Sequence, residues 1–309
     1  MRALSEHFMD DLMKPDGRLC PLLTRVKQDQ TLMMAIRENY INIYYRGGSI
    51  IKITEQSKGS YQASFDIKYN KSGQDCPELP TVIKSQDEAK KWIAAFPALK
   101  NMMDEYFHIH GKAEREFQQL VARENNNSSI SNESEYFVSD IEFADTDLGA
   151  RFDMLAIRWC ASERTNGSHC RAALIEMKYG DGALDGSSGL IKHLQNIDAL
   201  IRDSSRYTDL LLTMEAQFNQ LDQLKLLNFN RSKNGTKVKL DANEKPEVIF
   251  ILTNHNPRSS KLKTILSNPE IDAYDQSQRF DLRFYTACFS GYGLHTMCML
   301  PLAEFRKLL

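Results

Sequence analysis

The chain has 309 residues, 42% of them hydrophobic, with 39 Lys and Arg against 41 Asp and Glu, so its formal net charge is -2. That length suffices for one large domain or two modest ones; the near-neutral balance excludes a global basic field for nucleic acid but not a local basic groove. No apolar run approaches membrane-spanning length. The opening MRALSEHFMDDLMKPDG carries acids inside its apolar stretch, unlike a signal peptide, so a cytoplasmic protein is expected.

Residues 1 to about 38 read as two helices broken at KPDGR. The second, PLLTRVKQDQTLMMAIREN, opens on a proline, which suits a first helical turn. In YINIYYRGGSIIKITE, two β-rich runs flank Arg46-Gly47-Gly48-Ser49, which signals a hairpin. YQASFDIKYN alternates as a third strand, and Ser85 to Glu88 (SQDE) forms a capping box ahead of EAKKWIAAF. Residues 1–98 are therefore expected to form a small α+β domain, a candidate recognition module.

The second region, residues 99–309, starts with LKNMMDEYFHIHGKAEREFQQLVAREN, helical with an interruption near Gly111. The polar loop NNNSSISNES follows. EYFVSDIEFA, RFDMLAIRWC and RAALIEMKYG read as three strands, the last two as a hairpin across ASERTNGSH. A long helical stretch covers about Gly189 to Leu227, and FNRSKNGTKVKLDANEKP reads as a loop or short ribbon. EVIFILTN is continuously apolar, as in a strand covered on both faces. SSKLKTILSN is a short helix; FDLRFYTACF and HTMCMLPL are further strands. Six cysteines, Cys20, Cys76, Cys160, Cys170, Cys288 and Cys298, include no C-x-x-C pair and are expected as free thiols.

One apolar run carries charge. In RAALIEMKYG, Ala172, Leu174, Glu176 and Lys178 share a face, because strand residues i and i+2 point the same way. The first two suit a core, and the last two are expected to emerge together at the strand's end. A carboxylate is a hard ligand for Mg²⁺. An ammonium beside it orients water or stabilises charge on a phosphate. Asp153, near the start of the preceding strand, is brought towards Glu176 by an antiparallel hairpin. Glu-x-Lys alone is weak: Glu88-Ala-Lys90 also matches, in an expected surface helix. An exposed strand-end ion pair, worth about 0–1 kcal/mol, is the alternative reading of the motif.

On these residues and this order of elements, the stretch from about Asp104 to the C-terminus resembles the PD-(D/E)XK nuclease superfamily. The resemblance covers about two thirds of the chain. It implies an α/β, restriction-endonuclease-like core, a mixed sheet flanked by helices. It implies Mg²⁺ or Mn²⁺ held by Asp153, Glu176 and the Met177 carbonyl, with Lys178 acting on the attacking water. The family's frequent proline before the Asp is Phe152 here. An acid on the first helix falls to Glu116, with Glu114 and Gln118 nearby; a Gln on the later helix falls to Gln195, with His193 beside it. Asp140 and Glu142 are reserve ligands, and His108 and His110 a weak metal pair.

For substrate contact, Arg231, Lys233, Lys237 and Lys239 crowd one loop and Arg258, Lys261 and Lys263 another, where they would meet phosphates. Tyr40, Tyr44, Tyr45 and Arg46 offer groups that stack on bases. The expected activity is metal-dependent phosphodiester hydrolysis of nucleic acid, with DNA favoured by the resemblance and defence against foreign DNA by analogy. Two alternatives stay open, a non-catalytic binding platform on this fold and an RNA endonuclease toxin. A homo-oligomer is left open as well.

Overall fold

A computed structural model describes residues 2–71, 73, 75–146, 149–164, 169–186, 189–230, 237–254, 260–287, 296 and 299–308. The chain is mixed α/β and divides into two units, one of residues 2–119 and 220–226, the other of 120–219 and 227–309. Among the described residues, no helix is long and apolar enough to cross a membrane.

The first unit holds α1 (Glu6–Met13), α2 (Cys20–Gln28), β1 (Leu32–Ile36), β2 (Tyr40–Tyr45), β3 (Gly48–Ser57), β4 (Ser60–Ser64), β5 (Val82–Ile83), α3 (Gln86–Ile109) and the start of α4 (Ala113–Asn127). Its sheet is an antiparallel meander, β1-β2-β3-β4-β5. Ile41 lies opposite Ile53 and Ile43 opposite Ile51, and all four are fully buried. Each such side chain contributes about 1.5–3 kcal/mol by leaving water. Arg46 and Gly47 form the two-residue β2–β3 turn, both at positive φ (49° and 74°), as a type I′ turn requires.

Three expectations change here. Residues 32–36 are a strand, not the end of a helix. Asp29 stops α2: its N–H returns to the Arg25 carbonyl, and its Oδ1 accepts from both Thr31 N (3.0 Å) and Thr31 Oγ1 (2.6 Å). That turn aims Leu32–Ile36 at β2, and the sheet position overrides the helical propensity of Leu, Met and Ala. The boundary expected near residue 98 falls inside α3, which runs through Pro97 to Ile109, and the division comes after Gln119. The segment 220–226 also belongs with the first unit, where Gln220 exchanges two 2.9 Å hydrogen bonds with the Leu4 backbone.

The second unit contains the rest of α4, β6 (Tyr136–Asp145), β7 (Ala150–Arg158), β8 (Arg171–Tyr179), α5 (Leu190–Arg202), most of α6 (Ser204–Gln223), β9 (Glu247–Thr253), α7 (Lys261–Leu266), α8 (Pro269–Asp275), β10 (Asp281–Ala287) and α9 (Leu302–Arg306). The sheet order is β10-β9-β8-β7-β6. β6, β7 and β8 are antiparallel neighbours, whereas β8, β9 and β10 run parallel. Parallel pairing needs a crossover, and α5 and α6 lie between β8 and β9 in the chain. β9 is buried at every residue, as its unbroken apolar run requires. Phe137, Trp159, Phe218 and Phe229 form one aromatic cluster, and Phe250, Phe284 and Phe305 stack in another. Of the expected last strand, the described part makes a single bridge, Leu300 to Phe284, before α9 begins.

Candidate functional site

β7 and β8 pair from Arg158 opposite Arg171 to Met154 opposite Ile175, and there the ladder ends. One step further, the Asp153 carboxylate replaces a backbone acceptor: Met177 N donates to Asp153 Oδ2 at 2.8 Å. Asp153 is thereby fixed beside β8, next to Glu176. The Glu176 side chain is fully buried, and its Oε2 lies 3.5 Å from Lys178 Nζ and 2.9 Å from His193 Nδ1 on α5. Two strands and one helix thus bring two carboxyl groups, an ammonium and an imidazole together.

Burial pushes the Asp153 carboxyl up to about 7, and the adjacent Glu176 carboxylate pushes the same way; Lys178 and the Met177 N–H oppose them without prevailing. Two carboxylates at close quarters favour sharing a proton or a cation over standing ionised alone.

The expectation that Lys178 emerges to solvent with Glu176 fails: both are buried, Lys178 at 5% exposure. β8 is the central strand of five and is covered along its length, so its end does not project. Met177 enters through its N–H, with its side chain in the core.

Gln195 does not join this group. It is exposed, and its Nε2 donates to Glu270 Oε1 on α8 at 2.8 Å. Residues two apart on a helix are about 200° apart around its axis, so Gln195 and His193 cannot face one site. The signal that separates them is the helix phase: Leu190, Leu194 and Ile197 are the buried stripe, and His193 sits one turn from Leu190 beside Leu194. Glu116 belongs to the first unit, where both its oxygens hold Arg46, at 2.9 and 3.2 Å.

The reserve candidates have structural partners or lack a cluster. Asp140 is buried and accepts from Gln217 Nε2 at 2.8 Å; Glu142 is half-buried at φ 51°. Gln118 is fully buried and Glu114 half-buried on α4. His108 and His110 are exposed, and among the described residues no three His, Cys, Asp or Glu side chains assemble as a metal-holding group. Tyr44 is buried, Tyr45 donates to Asp104, Arg46 pairs with Asp104 and Glu116, and Tyr40 lies under Lys52. Of the basic residues, Lys237 and Lys239 are exposed, whereas Lys261 and Lys263 lie on α7 rather than in a loop; Lys263 is exposed and Lys261 pairs with Asp185 at 3.0 Å. Arg231, Lys233 and Arg258, with Cys288 and Cys298, lie outside the described residues. Cys20, Cys76, Cys160 and Cys170 are unbridged. Glu88 and Lys90, the control match, lie on α3: Glu88 accepts from Lys84 N at the helix start, and Lys90 pairs with Asp87.

Compared with protein-family models, curated proteins and solved structures, the chain matches none.

The donor chemistry fits a hard divalent ion. Mg²⁺ is commonly held by one or two carboxylates, with substrate phosphates and water completing its shell. Asp153 and Glu176 supply two such oxygen donors side by side.

Proposed function

We propose that the chain is a metal-dependent nuclease with a restriction-endonuclease-like core in its second unit, hydrolysing phosphodiester bonds of nucleic acid, with DNA the favoured substrate and defence against foreign DNA the favoured setting. The single observation that supports this reading most is the meeting of Asp153, Glu176 and Lys178 from neighbouring strands. The order helix, three antiparallel strands, helices, parallel strand, helices, parallel strand supports it too.

In this reading Asp153, Glu176 and the Met177 carbonyl hold Mg²⁺ or Mn²⁺. A bound divalent ion supplies Lewis-acid charge stabilisation and a nucleophile at neutral pH. Lys178 orients the attacking water or stabilises the charge that builds on the phosphate. The Met177 N–H keeps Asp153 turned towards Glu176. The exposed lysines Lys237 and Lys239, and Lys263 on α7, are candidates for phosphate contact, which sets affinity rather than sequence preference.

The deep burial of Glu176 and Lys178 favours a second reading, a non-catalytic binding platform on the same fold. Cleavage assays separate the two. Plasmid, linear duplex, single-stranded DNA and RNA are each incubated with Mg²⁺, Mn²⁺ or chelator. Metal-dependent cleavage of DNA is expected, and Lys178→Met, which keeps the buried stem volume, should lower the rate about 10²–10⁴-fold if water activation is its role. Absence of cleavage under every condition turns the assignment to the platform; cleavage of RNA alone turns it to an RNA endonuclease.

A further inference from the structure

His193 belongs to no part of the machinery assigned above, yet it touches that machinery from a separate element. α5 is anchored by Leu190, Leu194 and Ile197, all buried. Its start is fixed by a tight approach: the Leu190 N–H donates to the Leu184 carbonyl at 3.1 Å, and a Cβ on Gly189 would lie 2.6 Å from the Asp185 backbone. His193 N donates to the Gly189 carbonyl at 3.1 Å, so this residue sits in the first turn of a firmly placed helix. From there Nδ1 reaches Glu176 Oε2 at 2.9 Å, closer than the 3.5 Å of Lys178 Nζ to the same oxygen.

The two contacts are not equivalent. Lys178 stands on the same strand as Glu176 and moves with it, on a stem with several rotatable bonds. His193 comes from outside the sheet on a short, rigid ring. A metal-binding carboxylate whose rotamer is held by an outer hydrogen bond binds more tightly than one that must be ordered on binding.

We propose that His193 is a positioning residue, whose Nδ1, 2.9 Å from Glu176 Oε2, pairs with that carboxylate and holds it ready for a divalent cation. This rests on the metal-site reading of Asp153 and Glu176.

The test uses Mn²⁺ as probe, titrated calorimetrically into the full chain, with thermal melting of the metal-free protein alongside. His193→Ala, His193→Asn and His193→Gln are compared with wild type. The Asn side-chain nitrogen is attached to Cγ, as Nδ1 is, whereas the Gln nitrogen reaches one bond further. His193→Ala should weaken Mn²⁺ binding about 10–100-fold, the usual cost of losing a ligand's outer partner. His193→Asn should recover most of it and His193→Gln less, with metal-free melting close to wild type in the Asn variant. If wild type binds Mn²⁺ and the Ala variant binds equally well, His193 has no positioning role and the metal site stands. If the Ala variant does not fold, equal weakening in the Asn and Gln variants overturns the proposal. If wild type binds no Mn²⁺, the metal-site reading itself fails and this inference goes with it.

Discussion

At the residue scale, the decisive group is Asp153, held where it cannot ionise freely. Its carboxyl titrates near 7 because burial and Glu176 both disfavour the charge. An ordinary unfolded Asp titrates near 4. Between those values the folded metal-free protein keeps a proton that the unfolded chain has lost. Stability from this group is therefore full below about pH 4 and is lost as pH rises towards 7. Asp153→Asn keeps an oxygen to accept from Met177 N but carries no proton to lose. Melting of metal-free wild type should fall relative to that variant as pH climbs from about 4 to 7. On the proposed metal-site reading, Mn²⁺ affinity of wild type should rise over the same upper range, by up to about tenfold per pH unit below 7, since a cation held by Asp153 would displace its proton. A pH-independent difference in melting would show that Asp153 titrates normally.

The element scale shows how little sequence each local decision requires. The β2–β3 turn needs positive φ at two successive residues, and Gly47 occupies the tighter of them. A Cβ there would lie 2.5 Å from the Arg115 carbonyl carbon. Gly73 also has positive φ (67°), but a Cβ added to it would meet nothing within 4 Å. Gly47→Ala should cost more than the roughly 1–2 kcal/mol of left-handed backbone alone, whereas Gly73→Ala should cost no more than that. Urea unfolding of the two variants measures the difference, and equal losses would rule out the close approach to Arg115. The turn itself was legible, because glycines between two β-rich runs admit few alternatives. The strand at Leu32–Ile36 was not. LMMAI suits a helix or a strand, and its fate rests on Asp29 ending α2 and on β2 being present to pair with it. On α5 the apolar stripe set the helix phase, so the choice of His193 over Gln195 was available from Leu190 and Leu194; only the position of Glu176 showed which side mattered.

For the whole molecule, the first unit does not end where the order of predicted elements suggested. A fragment of residues 1–98 stops one residue after Pro97 and lacks Leu99, Met102, Met103 and Phe107, all buried on α3. At about 1.5–3 kcal/mol each, these four amount to most of the roughly 5–15 kcal/mol that holds a typical domain together. The fragment should show no cooperative thermal transition by circular dichroism. A sharp melt would mean that α3 beyond Pro97 is dispensable and that the unit is smaller than residues 2–119 with 220–226.

The sequence by itself determined the strands β6 to β10 of the second unit, the hairpin that carries Asp153 to the Glu176 strand, and the common face of Glu176 and Lys178. These follow from short-range rules: the two-residue period of a strand, the turn residues between strands, and an apolar run that only a covered strand accommodates. The break between α5 and α6, the helices α8 and α9, and the reduction of the last expected strand, in its described part, to one bridge were not legible in the sequence. Tertiary structure alone decided that Glu176 and Lys178 are buried, that His193 reaches Glu176, that Glu116 is spent on Arg46, and that α3 and residues 220–226 complete the first unit. Each depends on what a distant segment brings alongside, and burial, ion pairing and a shifted Asp153 are properties of that assembled neighbourhood rather than of any stretch of chain.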